Sequence, residues 1–152
     1  MDLRQFPAAK ELDPEELLSL WWYQPYIFAD DIVSGMAPRW FMKGLDTTIM
    51  RQSQYPKQFK RYWDLSNRAA IMYQDWARAL CDLSGVGPKD ASIFELACNT
   101  GHFLYGLKEQ GAKQCVGIDQ ADLGRQREIL GNVTGINDID FREGRWSSAT
   151  HS

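Results

Sequence analysis

The sequence predicts an α/β fold, in which parallel strands alternate with helices behind an aromatic, mainly helical N-terminal extension. Three observations predict it. SIFELA, residues 92–97, is a short apolar run, followed by a small-residue turn and a segment of helical spacing that Gly111 closes. QCVGID, residues 114–119, repeats the strand signature, and a second helical segment leads to a third short strand. Strand, helix, strand, helix, strand at this spacing favours a parallel sheet with right-handed crossovers. Finally, the residues before Gly85 lack this alternation and are crowded with Trp, Tyr and Phe.

Taken in order, Asp13-Pro14-Glu15-Glu16 opens a short helix running into Leu17, Leu18, Leu20 and Trp21. Asp13 can cap, Pro14 suits the first helical position, and the two acids favour the positive helix end. Tyr26-Ile27-Phe28 and Ile32-Val33 read as extended pieces around a turn at Asp30-Asp31. Residues 36–62 carry weak signals and read as loops with a short helix. From Asn67 to Leu83 a helix is clear. Ser66 is its expected cap, and Ala69, Met72, Tyr73, Trp76, Leu80 and Leu83 recur at three- and four-residue steps as its core face. Gly85-Val86-Gly87-Pro88 stops it. Beyond SIFELA, helices are expected over 101–110 and 122–130, and strands over 114–119 and 139–141. The chain therefore divides into an extension or lid (1–84), an α/β unit (85–146) and a tail (147–152).

Composition bounds the function classes. At 152 residues and 44% apolar, the chain suits one folded domain better than two. A net charge of −3 excludes a global basic field for nucleic acid. The cysteines Cys81, Cys98 and Cys115 are odd in number and form no CxxC pair, which argues against a disulfide framework or a zinc site. Free thiols fit a reducing compartment, and the expected location is cytoplasmic. MDLRQFPAAKELDPEE lacks the apolar centre of a signal peptide, and no apolar run reaches the roughly 18–20 residues of a membrane span.

The informative stretch is Glu95-Leu96-Ala97-Cys98-Asn99-Thr100-Gly101-His102-Phe103. An acid near the end of a strand, a tight turn of small residues and a helix start bring backbone close to a ligand at the carboxyl edge of a sheet. A second acid, Asp119, ends the next strand, where it can accept hydrogen bonds from ribose hydroxyls. Together they indicate a nucleoside cofactor. A dinucleotide site would show GxGxxG, and here only Gly101 fits such a pattern, which disfavours a nicotinamide-dependent oxidoreductase. A carboxylate at Glu95 repels a pyrophosphate and attracts an ammonium group. S-adenosylmethionine carries an ammonium and a ribose but no phosphate, so the charge pattern selects it.

IFELACNTGHF resembles motif I of the class I S-adenosylmethionine-dependent methyltransferases, and VGID resembles their motif II. The resemblance spans about residues 90–145. It implies a Rossmann-like sheet of which this chain supplies the first three strands. It also implies that Glu95 and the backbone of Ala97, Cys98, Asn99, Thr100 and Gly101 hold the methionine part. Asp119 would hold the ribose, Gln120 would flank the adenine, and the end of Phe141-Arg142-Glu143-Gly144 would lie beside it. Ala97 and Asn99 stand where the family usually has glycine, and Arg145 where many members have an acid. The family sheet has further strands on the other side of the first. The chain is therefore expected to be a partial or truncated methyltransferase. The open edge of IFELA would be covered by the extension, by self-association or by a partner chain. The methyl acceptor is open among small molecules, RNA and protein, and no catalytic base is identified. The alternative is a non-catalytic S-adenosylmethionine-binding or interaction module derived from that fold.

Competing readings attach to other residues. His102 reads first as an ordinary helix residue and only second as a catalytic aid. Cys98 and Cys115 read as small buried residues rather than nucleophiles. Arg51, Lys57, Lys60 and Arg61 interleave with Tyr55, Phe59, Tyr62 and Trp63, a pattern that suits RNA. A charged surface with its aromatics packed inward is favoured in this acidic chain. Trp21, Trp22, Tyr23, Tyr26 and Phe28 read as a hydrophobic cover for the sheet that can also close over the cofactor.

Overall fold

The computed structural model describes residues 1–35 and 49–144. The expected tail and Arg145 lie outside them, as does much of the weakly patterned stretch after residue 35. Two short 3₁₀ turns, Leu3–Gln5 and Pro7–Glu11, lead into helix α1, Pro14–Ser19. Asp13 caps α1 by accepting from the Glu15 N–H at 3.0 Å, and Leu20 ends it, before the expected Trp21.

The extension then forms something the sequence reading half missed, a three-stranded antiparallel sheet of β1 (Ile27–Ala29), β2 (Ile32–Ser34) and β3 (Ile49–Arg51). The hairpin turns at Asp30-Asp31 as expected. β3 pairs Ser34 with Ile49 and Ile32 with Arg51. Its three residues are too few to show alternation.

Helix α2 runs Pro56–Ser84, starting well before the expected Asn67. Pro56 at the first position is its start signal, and left-handed Gly85 (φ 66°) ends it. Ser66 is therefore no cap. It lies buried in mid-helix, and its hydroxyl donates to the Ser34 carbonyl at 2.8 Å, tying α2 to β2. The expected core face is also corrected. Phe59, Tyr62, Ser66 and Ala77 are the buried side, whereas Met72, Trp76, Leu80 and Leu83 are exposed. Ala69 and Tyr73 are half-buried. Met72, Trp76, Leu80 and Leu83 do share one side of the helix, but among the described residues nothing packs over that side closely enough to bury it.

The second half is a β-α-β-α-β unit: β4 (Ser92–Leu96), α3 (His102–Glu109), β5 (Gln114–Asp119), α4 (Gly124–Thr134) and β6 (Ile139–Glu143). The strands are parallel in the order β4-β5-β6, with Glu95 level with Gly117 and Asp119 level with Glu143. The fold is thus mixed α/β with a three-stranded parallel sheet. α3 and α4 pack on one face: Leu104 and Leu107 lie with Cys115 and Ile93, and Ile129 and Leu130 with Ile139 and Phe141. Gly117 is required on that face, because a Cβ there would lie 2.6 Å from Cys98 Sγ. Opposite, Phe94 and Leu96 are 57% and 51% exposed, and among the described residues no strand pairs with the outer edge of β4.

The extension does not lie loosely over this unit. Trp22, Tyr26, Phe28, Ile32 and Ile49 share one apolar cluster with Tyr105, Ile129, Leu130 and Val133. Trp22 is fully buried, meets Phe28 edge-on at 4.7 Å between ring centroids, and donates its Nε1–H to the Leu17 carbonyl at 3.0 Å. Arg125 of α4 reaches Glu16 of α1, with 2.6 Å from Nε to the carboxylate. Among the described residues no helix is long and apolar enough to cross a membrane. Because Trp22 joins both halves of the core, Trp22→Ala is expected to lower unfolding free energy by about 3–5 kcal/mol. Denaturant titration should show both halves unfolding in a single transition at the lower midpoint.

Candidate functional site

β4 ends at Leu96, and the chain then turns through Ala97 to Gly101 into α3. Ala97 (φ 56°), Asn99 (φ 53°) and Gly101 (φ 86°) all take left-handed backbone. The turn therefore keeps a glycine-type path with only one glycine in it. Left-handed backbone costs an L-residue roughly 1–2 kcal/mol, less for Asn. Gly101 is replaceable by nothing larger, since a Cβ there would lie 2.5 Å from the Phe141 ring.

Three side chains from three parts of the chain hold this path. Asp119, at the end of β5, accepts from the Asn99 N–H at 2.8 Å and, through its other oxygen, from the Ala121 N–H at 2.9 Å. Arg127 of α4 grips the Asn99 carbonyl from behind, with Nη2 at 2.7 Å and Nε at 3.2 Å. Its guanidinium lies 4.4 Å from the centre of the Phe141 ring. Gln24, from the extension, accepts through Oε1 from the Thr100 hydroxyl at 2.6 Å and from the His102 N–H at 3.1 Å. The Tyr26 hydroxyl also meets Thr100 Oγ1 at 2.7 Å.

In front of the turn lies a crevice of about 590 Å³, within the range of small-molecule sites. It is lined by six of the ten residues singled out from the sequence: Glu95, Ala97, Asn99, Asp119, Gln120 and Gly144. Cys98, Thr100 and Gly101 are buried behind the turn, and Glu143 points off β6 into solvent. Sequence reasoning missed Gln24 and Arg127 as clamps, and it placed Tyr73 on the core face of its helix and Tyr23 in the aromatic cover. Tyr23, Gln24 and Tyr73 line the crevice, so both the extension and α2 contribute walls. No local motif marks these residues, because their roles arise from contacts across the fold.

Glu95 is the electrostatic anomaly of the site. Its carboxyl is pushed up to about 7, first by burial and then by the nearby negative charge of Asp119. Its Oε2 is buried, and no donor among the described residues reaches it. A buried carboxylate oxygen without a partner is costly unless a cation or donor arrives from outside.

The other candidates resolve into packing. His102 is buried between the rings of Tyr26 and Tyr73, with centroids at 4.9 and 4.7 Å. Its Nε2 meets the Met1 amino group, and burial, followed by that positive charge, keeps its pKa well below the usual range. The thiols of Cys98 and Cys115 are buried and raised to about 11, chiefly by burial, so they are not poised as thiolates. Of the basic stretch, Arg51 is paired with Glu15 at 3.3 Å, and Phe59 and Tyr62 face the core. Trp63 lies beneath Arg4 at 4.6 Å, whereas Lys57, Lys60 and Arg61 are exposed. The aromatics thus pack inward and offer no stacking platform. Among the described residues no group of His, Cys, Asp and Glu could hold a metal ion.

No protein-family model, no curated protein and no solved structure matches the chain.

The strain in the turn is directly measurable. Ala97→Gly removes it at the cost of about 0.5–1 kcal/mol of backbone entropy, so a net gain of about 0.5–1 kcal/mol is expected. Thermal melts should show a rise of roughly 1–4 °C. Gly101→Ala should instead lose about 2 kcal/mol or more, because strain adds to the clash with Phe141.

Proposed function

We propose that this chain binds S-adenosylmethionine and forms the donor-binding part of a methyltransferase built on a Rossmann-like sheet. The observation that carries the reading is the unpartnered, buried Oε2 of Glu95 in a crevice shared with Asp119. An ammonium group in that corner would supply the missing donor and hold Glu95 ionised. Asp119 keeps a second lone pair on each oxygen after its two backbone bonds, enough to accept from ribose hydroxyls. Gln120 and Gly144 stand where a planar base would follow the ribose, and the left-handed turn brings main chain against the ligand without bulky side chains in the way.

When bound, this cofactor would supply an electrophilic methyl group to an acceptor nucleophile by direct displacement, the sulfonium sulfur departing as a neutral thioether. The residues of the chain contribute alignment and water exclusion rather than proton transfer. Tyr23 from the extension and Tyr73 from α2 wall the crevice. His102 and both buried cysteines are withdrawn from such chemistry by their burial. The acceptor is a small molecule, an RNA or a protein, and three free cysteines suit action in the cytoplasm. A second reading, a cofactor-binding module without transfer activity, is favoured by Ala97 and Asn99, which stand where the resembled motif usually has glycine.

Calorimetry with S-adenosylhomocysteine, which keeps the ammonium and the ribose, tests the proposal. In the ligand-free protein Glu95 titrates at about 7 rather than 4.5. Its protonated form favours the fold below 4.5, and that contribution is lost as the pH rises through 7. A cationic ligand needs the ionised form, so affinity should rise roughly up to tenfold between about pH 6 and pH 8. Glu95→Gln should bind more weakly and lose that pH dependence. Asp119→Ala should lose roughly 1–3 kcal/mol of binding free energy. NAD should not bind. Tight, pH-independent binding to Glu95→Gln would remove the ammonium contact, and methyl transfer to any acceptor would exclude the second reading.

A further inference from the structure

Gln24 does more than hold the turn after β4. Its side chain belongs to the extension and is only 6% exposed, yet it lines the crevice. Its Oε1 accepts from the Thr100 hydroxyl and from the His102 N–H. A backbone N–H can only donate, so the atom that faces it must be the oxygen and the amide cannot be turned over. Nε2 therefore occupies the other branch, and among the described residues nothing accepts from it. A nearly buried donor without an acceptor is costly, as is the lone carboxylate oxygen of Glu95. The crevice thus holds one unmet acceptor, Glu95 Oε2, and one unmet donor, Gln24 Nε2. An ammonium answers the first and a carboxylate the second. An α-amino acid carries both on one carbon, and a nucleoside alone carries neither charge.

We propose that Gln24 reads the amino-acid end of the ligand, donating through Nε2 to its carboxylate while Glu95 takes its ammonium. The assignment rests on the methyl-donor reading and names the residue of the extension that selects one end of that ligand. The hydrogen bonds behind Gln24 suit the task. Oε1 carries no hydrogen, so the Thr100 hydroxyl donates to it, and the Tyr26 hydroxyl in turn donates to Thr100. A carboxylate on Nε2 would extend this chain, and hydrogen bonds in a chain polarise and strengthen one another. The ligand would thereby tighten the join between Gln24 and Tyr26 of the extension and Thr100 and His102 of the α/β unit. A ligand without the carboxylate would leave that join as it is.

Two ligands test it: S-adenosylhomocysteine and its decarboxylated analogue, which keeps the nucleoside and the ammonium. The first readout needs no variant. Followed by heteronuclear NMR, the side-chain amide protons of Gln24 should shift and exchange more slowly with S-adenosylhomocysteine, and not with the analogue. Calorimetry gives the second. Gln24→Glu keeps an oxygen for Thr100 and His102 and puts another where the donor stood. It should weaken S-adenosylhomocysteine by roughly tenfold or more, with no such loss for the decarboxylated analogue. A residue that only clamps the turn would affect both ligands alike. Gln24 amide protons that respond to both ligands equally, or to neither, overturn the assignment, as does a Gln24→Glu chain that treats the two ligands alike. If neither ligand binds the unsubstituted protein, the methyl-donor reading falls, and this assignment with it.

Discussion

The hydrogen-bonded hold on the turn after β4 is the constraint on which the rest of the site depends. Ala97 and Asn99 sit in left-handed backbone that neither adopts freely. They stay there because Asp119 takes the Asn99 N–H while Arg127 takes its carbonyl, so the peptide is fixed from both sides. Gln24 fixes Thr100 and His102 from the extension. Strained backbone persists only where its surroundings over-determine it, and such places concentrate at ligand sites. Asp119 therefore does two things with one carboxylate: it shapes the turn and faces the crevice that the turn bounds.

The parts of this arrangement that were legible in the sequence are local. An acid near a strand end, small residues, a glycine and a second strand-ending acid can be read within 25 residues of chain, from Glu95 to Asp119. The parallel strands and their two helices were legible for the same reason: each is a short periodic run closed by glycine or by a turn. Gln24 and Arg127 were not, because each is an ordinary polar residue in its own neighbourhood and acquires a role only through a contact 76 and 28 residues away. The start of α2 was hidden by mixed aromatic and basic residues, although Pro56 marked it.

Helix α2 shows a different failure, that of periodicity without context. The stripe from Met72 to Leu83 is regular enough to promise a core, yet the described fold leaves it open, while the side that is buried includes a serine and an alanine. Ser66 is buried with its hydroxyl satisfying the Ser34 carbonyl, and Ala77 is buried in one cluster with Phe103, Leu104 and Leu107 of α3. An apolar stripe therefore says that something is to be covered, not that this portion of the fold covers it. The same holds for β4, whose alternation places Ile93 inward and leaves Phe94 and Leu96 in water.

The bridge from Gln24 and Tyr26 to Thr100 and His102 also orders events in time. These contacts join points 74 to 78 residues apart, so closing them exacts the entropy of a long loop before any of their bonds form. Helix turns and the hairpin have no such obstacle and form early. The left-handed turn is held by Asp119 and Arg127 from within the α/β unit, and Gln24 adds its hold only once the extension has docked. On this topology the crevice wall that the extension supplies through Tyr23 and Gln24 is expected to order after the local helices and the hairpin.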